Sequence, residues 1–100
     1  MMAAIELHPA GGAWAPTTLF QYGTEIVVSS PAPAPPGARV EAAAVADDGA
    51  RSAFRIKVHR CKRQEDGTFV LVGVTIDLRR EARTILEELG RVAPGRPLGV

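Results

Sequence analysis

Cys61 and His59 are the chain's one thiol and one of its two imidazoles, and they stand two residues apart. A cysteine beside a histidine can act as nucleophile and base when a third group orients the base. Two such side chains on one face of a strand can also begin a metal site, which needs three or four ligands to be complete. Neither constellation is finished in the pattern. His8 lies far upstream, and no orienting group follows at a useful spacing. The expectation is a protein without catalytic residues, metal or cofactor.

Around this pair runs a basic stretch of Arg55, Lys57, Arg60, Lys62 and Arg63. Such a run could meet nucleic acid or another polyanion. No aromatic residue interleaves with it, and Glu65 and Asp66 follow at once. A solvated outer face, whose charges discourage edge pairing, is the simpler expectation, so nucleic acid is not expected as a partner. Three aromatic residues offer a different kind of chemistry. Trp14, Phe20 and Tyr22 fall within residues 1–38, which contain no Lys or Arg and only Glu6 and Glu25 as charged side chains. Core is the commonest place for such residues, but on a Gly/Pro/Ala segment they can also be protein-docking anchors. They are the candidate protein-interaction residues.

The elements that must position these groups are legible from periodicity. Phe54, Ile56 and Val58 alternate with Arg55, Lys57 and His59, which predicts a strand over 54–61 with its apolar set on one face. Asp66-Gly67 is a hairpin turn signal. Residues 68–76 are rich in β-branched and aromatic residues and apolar on both faces, so this strand is expected to be covered on each side, one of them by a helix. Asp77 suits a helix N-cap; Leu78, Ala82, Ile85, Leu86 and Leu89 recur at helical spacing; Gly90 suits the position just past the end.

Upstream, residues 24–30 and 38–46 read as strands, although the alanines of the second also permit a helix. The prolines at 31, 33, 35 and 36 between them exclude regular structure. Short strands with turn signals between them point to a small barrel or sandwich. One hundred residues with 46% hydrophobic and 23% charged content make one domain with a modest core. Its expected division is a flexible segment or edge strand over 1–16, a barrel plus helix over 17–90, and a flexible tail over 91–100. A net charge of +1 indicates no general affinity for polyanions. No basic leader or long apolar run is present, so a cytoplasmic location without membrane insertion is expected.

The order Pro35-Pro36-Gly37-Ala38-Arg39-Val40, a strand, Asp66-Gly67, Val72-Gly73-Val74, Ile76-Asp77-Leu78 and a helix resembles the C-terminal part of a PilZ domain, over about residues 17–90. The resemblance implies a mainly β fold, a small six-stranded antiparallel barrel with one C-terminal α-helix, and a role in bacterial signalling. Members that bind cyclic di-GMP are similar to one another at an Arg-x-x-x-Arg motif before the barrel and an Asp/Asn-x-Ser-x-x-Gly motif on an early strand. Aligning that last glycine on Gly23 puts Thr18 in the acidic or amide position and Phe20 in the serine position. No basic residue precedes them, and the pairs Arg51/Arg55 and Arg79/Arg83 come too late in the chain.

A charge-assisted hydrogen bond contributes about 1.5–3 kcal/mol, so losing two arginines weakens binding on the order of a hundredfold to ten-thousandfold. What the resemblance then implies is a divergent, non-catalytic adaptor. It would act by protein–protein interaction, with a signalling, motility or secretion protein as partner and Gly23 as the one match to the ligand motif. The alternative is a cyclic di-GMP sensor using non-standard residues such as Arg39, Arg51 or Arg55.

Overall fold

The structure is a computed structural model that describes residues 3–100. Among these residues there are seven strands and one helix: β1 (Ala4–His8), β2 (Ala15–Thr17), β3 (Leu19–Tyr22), β4 (Ile26–Ser30), β5 (Arg39–Val45), β6 (Arg51–Arg63), β7 (Phe69–Ile76) and α1 (Arg80–Val92). All neighbours pair antiparallel in the order β2-β1-β5-β6-β7-β4-β3.

The first and last strands of that order are joined by Thr18 alone. β2 pairs with β1, β3 pairs with β4, and the Ser29 amide donates to the Thr18 carbonyl over 3.0 Å. The Thr17 hydroxyl also donates to the Ser29 carbonyl. One kinked strand therefore brings the sheet round into a nearly closed barrel, and seven strands stand where six were expected: β3 to β7 fall within 17–90, while β1 and β2 come largely from the segment before it. Closure removes most of the free edge that an isolated sheet would expose.

The interior follows the alternation. Ile5, Leu7, Leu19, Ile26, Val28, Val40, Ala42, Ala44, Phe54, Ile56, Val58 and Leu71 form one buried cluster, which Ala82 and Leu86 of α1 complete. The alanines of β5 are strand residues, small enough to sit between the larger side chains of β1 and β6. β6 and β7 approach so closely that a Cβ on Gly73 would overlap the Lys57 carbonyl. The Asp66-Gly67 turn forms as its sequence implies. Gly67 has φ +88°, and the Thr68 amide donates to the Asp66 carboxylate over 2.9 Å. The hydrogen bond from the Thr68 hydroxyl, with that amide, holds the Asp66 carboxyl below its ordinary pKa.

Both expected ends of the helix move. Asp77 is not its N-cap: it takes a left-handed turn (φ 57°), and its carboxylate binds Arg55. Arg79 occupies the cap position without a side-chain cap bond. Gly90 lies inside α1, where a Cβ would stand 3.2 Å from Tyr22 Cβ. That glycine lets the helix approach β3; it does not end the helix.

The division of the chain also shifts. Residues 4–8 form an interior strand with Ile5 and Leu7 fully in the core, while β2 takes the lateral position. Residues 1 and 2 lie outside the described residues. Residues 95–100 are bonded to the barrel and cover the outer side of β7, whose inner side packs into the core; the cover expected of a helix is the tail, since α1 packs chiefly on β1, β3, β5 and β6.

Candidate functional site

Trp14 stands on the outer face of the barrel in the connection between β1 and β2, 40% exposed. The outward residues of β1, β5 and β6 hold it. The Arg51 guanidinium lies 4.8 Å from the indole centroid and pairs with Glu6 at 2.7 Å. The His8 ring is tilted 45° against the indole at 5.1 Å and approaches Glu41 at 3.4 Å. Glu6, Arg51, Trp14, His8 and Glu41 thus form one continuous polar–aromatic chain. A cation over an indole at an exposed site contributes about 0.5–1 kcal/mol. Beside the indole is a hollow of about 190 Å³, lined by Glu41, Ala53, Arg55 and Asp77 among others.

The other two aromatics go elsewhere. Leu19 pairs with Val28 and Gln21 with Val27, so Phe20 is an extra residue in the β3–β4 ladder. Phe20 faces outward onto Val27, Val70 and Val72, and the bulge after it turns Tyr22 inward beneath α1. Burial raises the Tyr22 pKa, partly offset by the Arg83 charge. The three residues grouped by sequence are therefore not brought together: each occupies a different surface of the barrel wall.

A second bulge separates His59 from Cys61. Val58 pairs with Gly73 and Arg60 with Val72, leaving His59 unpaired in register. One extra residue reverses the alternation. Cys61 consequently packs against the core, whereas His59 faces outward with Nδ1 3.6 Å from Glu25 Oε2. The shared strand face expected for them does not exist. Among the described residues no group of three or more potential metal ligands is assembled.

The same bulge places Arg60 and Lys62 on the outer face that carries Arg55 and Lys57. This run is not a uniform cationic patch. Arg55 is paired with Asp77, and Lys62 donates to the Gly99 carbonyl over 2.8 Å. Arg39 and Lys57 stand directly opposite each other across β5 and β6. Arg39 and Arg55 both contribute to a hollow of about 380 Å³ beneath the proline connector, with His8, Ser30, Pro33 and Glu41 among the other lining residues.

Gly23 is exposed in the turn between β3 and β4, and its amide donates to the Glu25 carbonyl over 3.0 Å. A Cβ there would meet nothing within 4 Å, and its φ lies outside the left-handed region. Neither backbone conformation nor packing requires glycine at this position.

Sequence reasoning missed the cluster next to it. Arg96 donates from Nη2 to Glu25 Oε1 over 2.6 Å and from Nε to Gln21 Oε1 over 3.0 Å. The Arg96 hydrogen bond is the main reason the Glu25 carboxyl sits below its ordinary pKa, with a smaller contribution from His59. The one sequence signal for this cover was the apolar character of both faces of β7. Compared with protein-family models, curated proteins and solved structures, the chain finds no match.

Proposed function

We propose that this chain is a non-catalytic, PilZ-like adaptor that recognises a bacterial signalling, motility or secretion protein in the cytoplasm through the Trp14 face. The observation that carries the reading is the position of Trp14: a large aromatic flanked by Arg51 and His8 on the outside of a nearly closed barrel, and not spent in its core. Tryptophan and arginine together are the commonest hot-spot residues of protein interfaces. The barrel with its C-terminal helix is the architecture that the PilZ resemblance implies. The helix of the structure is not long and apolar enough to cross a membrane. Since β2 and β3 join the two sides of the sheet, recognition through a free strand edge is the less favoured route.

The test is affinity capture from the cell that makes the protein, using the parent chain and Trp14→Ala side by side. A partner retained by the parent and lost by the variant is the expected result. Identical capture by both would remove the Trp14 face from the reading.

The second reading, a cyclic di-GMP sensor with non-standard residues, is favoured by the convergence of Arg39 and Arg55 on the 380 Å³ hollow. Against it, Arg55 is engaged by Asp77 and Arg51 by Glu6. Titration calorimetry with cyclic di-GMP separates the two. A dissociation constant in the low micromolar range or tighter would replace the adaptor by the sensor.

A further inference from the structure

Residues 95–100 lie on the outer face of β3, β4 and β7 in the manner of a bound ligand. The Gly95 amide donates to the Phe20 carbonyl over 2.8 Å. Arg96 spans Gln21 and Glu25, with side chains about 28% and 32% exposed for the Arg96–Glu25 pair. Val100 packs on the outward cluster of Val27, Val70, Val72 and Phe20. These valines are buried to 1% exposure or less, on a side of the sheet that faces away from the core. Main-chain donor, guanidinium and β-branched side chain each meet a matching feature of the groove.

The connection to the rest of the chain is minimal. Only Ala93 and Pro94 separate the end of α1 from the first groove contact, and Pro94 stiffens the link. The docked state also leaves Val92, at the hinge, 81% exposed. A short, stiff hinge and an arm with a self-contained set of contacts are the conditions under which identical elements exchange between protomers.

We propose that residues 93–100 are an exchangeable arm, and that the outer face of β3, β4 and β7 is a homotypic docking groove for the same segment of a second copy of this chain. The occupant is a second copy because this segment already satisfies each feature of the groove. In the exchanged pair every arm makes between chains the bonds it makes here within one, and Val92, at the hinge, lies where the two arms cross. The inference stands on the arm and its groove and is independent of the Trp14 reading.

Charge reversal in the full chain tests it. Glu25→Arg places like charges together in one variant, and Arg96→Glu does so in another. Reciprocal exchange in an equimolar mixture restores an opposite-charge pair at both grooves. Native mass spectrometry should show a heterodimer whose association is about tenfold or more tighter than that of either variant alone, the effect of one charge-assisted hydrogen bond. The Glu25→Arg/Arg96→Glu double variant, restored within one chain, should behave as the parent does. A mixture that stays monomeric overturns the proposal, as does a mixture that associates no better than its components. Loss of the fold by either single variant, read by circular dichroism, also overturns it, because the segment would then be an integral part of the barrel.

Discussion

On the β1–β5–β6 face, the outward residues Glu6, His8, Glu41 and Arg51 engage one another around a partly exposed Trp14. On the β3–β4–β7 face, the outward residues are Val27, Val70, Val72 and Phe20, and a length of chain lies over them. Both are outsides of the same barrel. The first stays in water because its alternation is polar; the second must be covered because its alternation is apolar twice over. The comparison teaches that a strand apolar on both faces obliges some other segment to dock, even when that segment has no periodicity of its own.

The largest expected effect lies at the seam, where β6 of the polar face meets β7 of the covered face. Gly73→Ala places a methyl group against the Lys57 carbonyl, so the two strands must separate or shift register. Overpacking of this kind should destabilise the fold by about 3 kcal/mol, read from the urea midpoint. A midpoint equal to the parent's would mean that the faces are joined loosely and that the barrel can adjust at its seam.

A smaller effect is expected at the centre of the polar face. Trp14→Ala removes a side chain that is only partly buried, at a cost of about 1–2 kcal/mol. Arg51→Ala should cost less in the Trp14→Ala background than in the parent, by about 0.5–1 kcal/mol, because the cation–π contact is then already gone. Equal costs in both backgrounds would show that Arg51 acts through Glu6 alone.

How much of this comparison could be read beforehand depended on the period. The 54–76 hairpin, the helix stripe and the strands flanking the proline connector rest on alternation, β-branched runs, turn signals or helical spacing, and all of them form. The bulges at Phe20 and His59 were invisible, since one unpaired residue changes no composition yet reverses every side chain beyond it. For that reason Tyr22 parted from Phe20 and Cys61 turned inward, while Trp14 lies apart from both in the β1–β2 connection. Asp77 has the right chemistry for a helix cap, but its left-handed backbone begins the helix two residues too late for it. The tail lacked any signal except the demand made by β7, and its anchor, Arg96 on Glu25, joins residues that sequence distance kept apart.

That anchor makes the covered face sensitive to acid. The Glu25 carboxyl has a folded-state pKa below its unfolded value, chiefly through the Arg96 hydrogen bond. A depressed carboxylate contributes its stabilisation above the unfolded pKa and loses it as pH falls through the folded one. The protection of the Gly95 amide, the intrinsic exchange rate over the observed rate at the same pH, should therefore be high near neutrality and fall below the ordinary carboxylate range, while the sheet amides of β5 stay protected. Glu25→Gln should flatten this profile. Loss of protection at the same pH in β5 would mean that the tail opens only with the whole barrel, and the two faces would then be one cooperative unit.

The smallest effect is expected at Gly23, in the turn that leads from β3 to β4 at the edge of the covered face. Its φ is accessible to any residue, and a methyl group there would meet no neighbour within 4 Å. The Gly23–Glu25 backbone bond uses an amide that alanine also has. Gly23→Ala should accordingly change stability by no more than about 0.5 kcal/mol in either direction. A glycine kept for its backbone alone would behave otherwise, and a glycine kept for close approach of a ligand would lose that ligand while the barrel stayed intact. Measuring the urea midpoint and the cyclic di-GMP titration on the same variant distinguishes these cases. An unchanged midpoint with no ligand heat in either protein leaves Gly23 as an ordinary turn residue at the edge of the covered face.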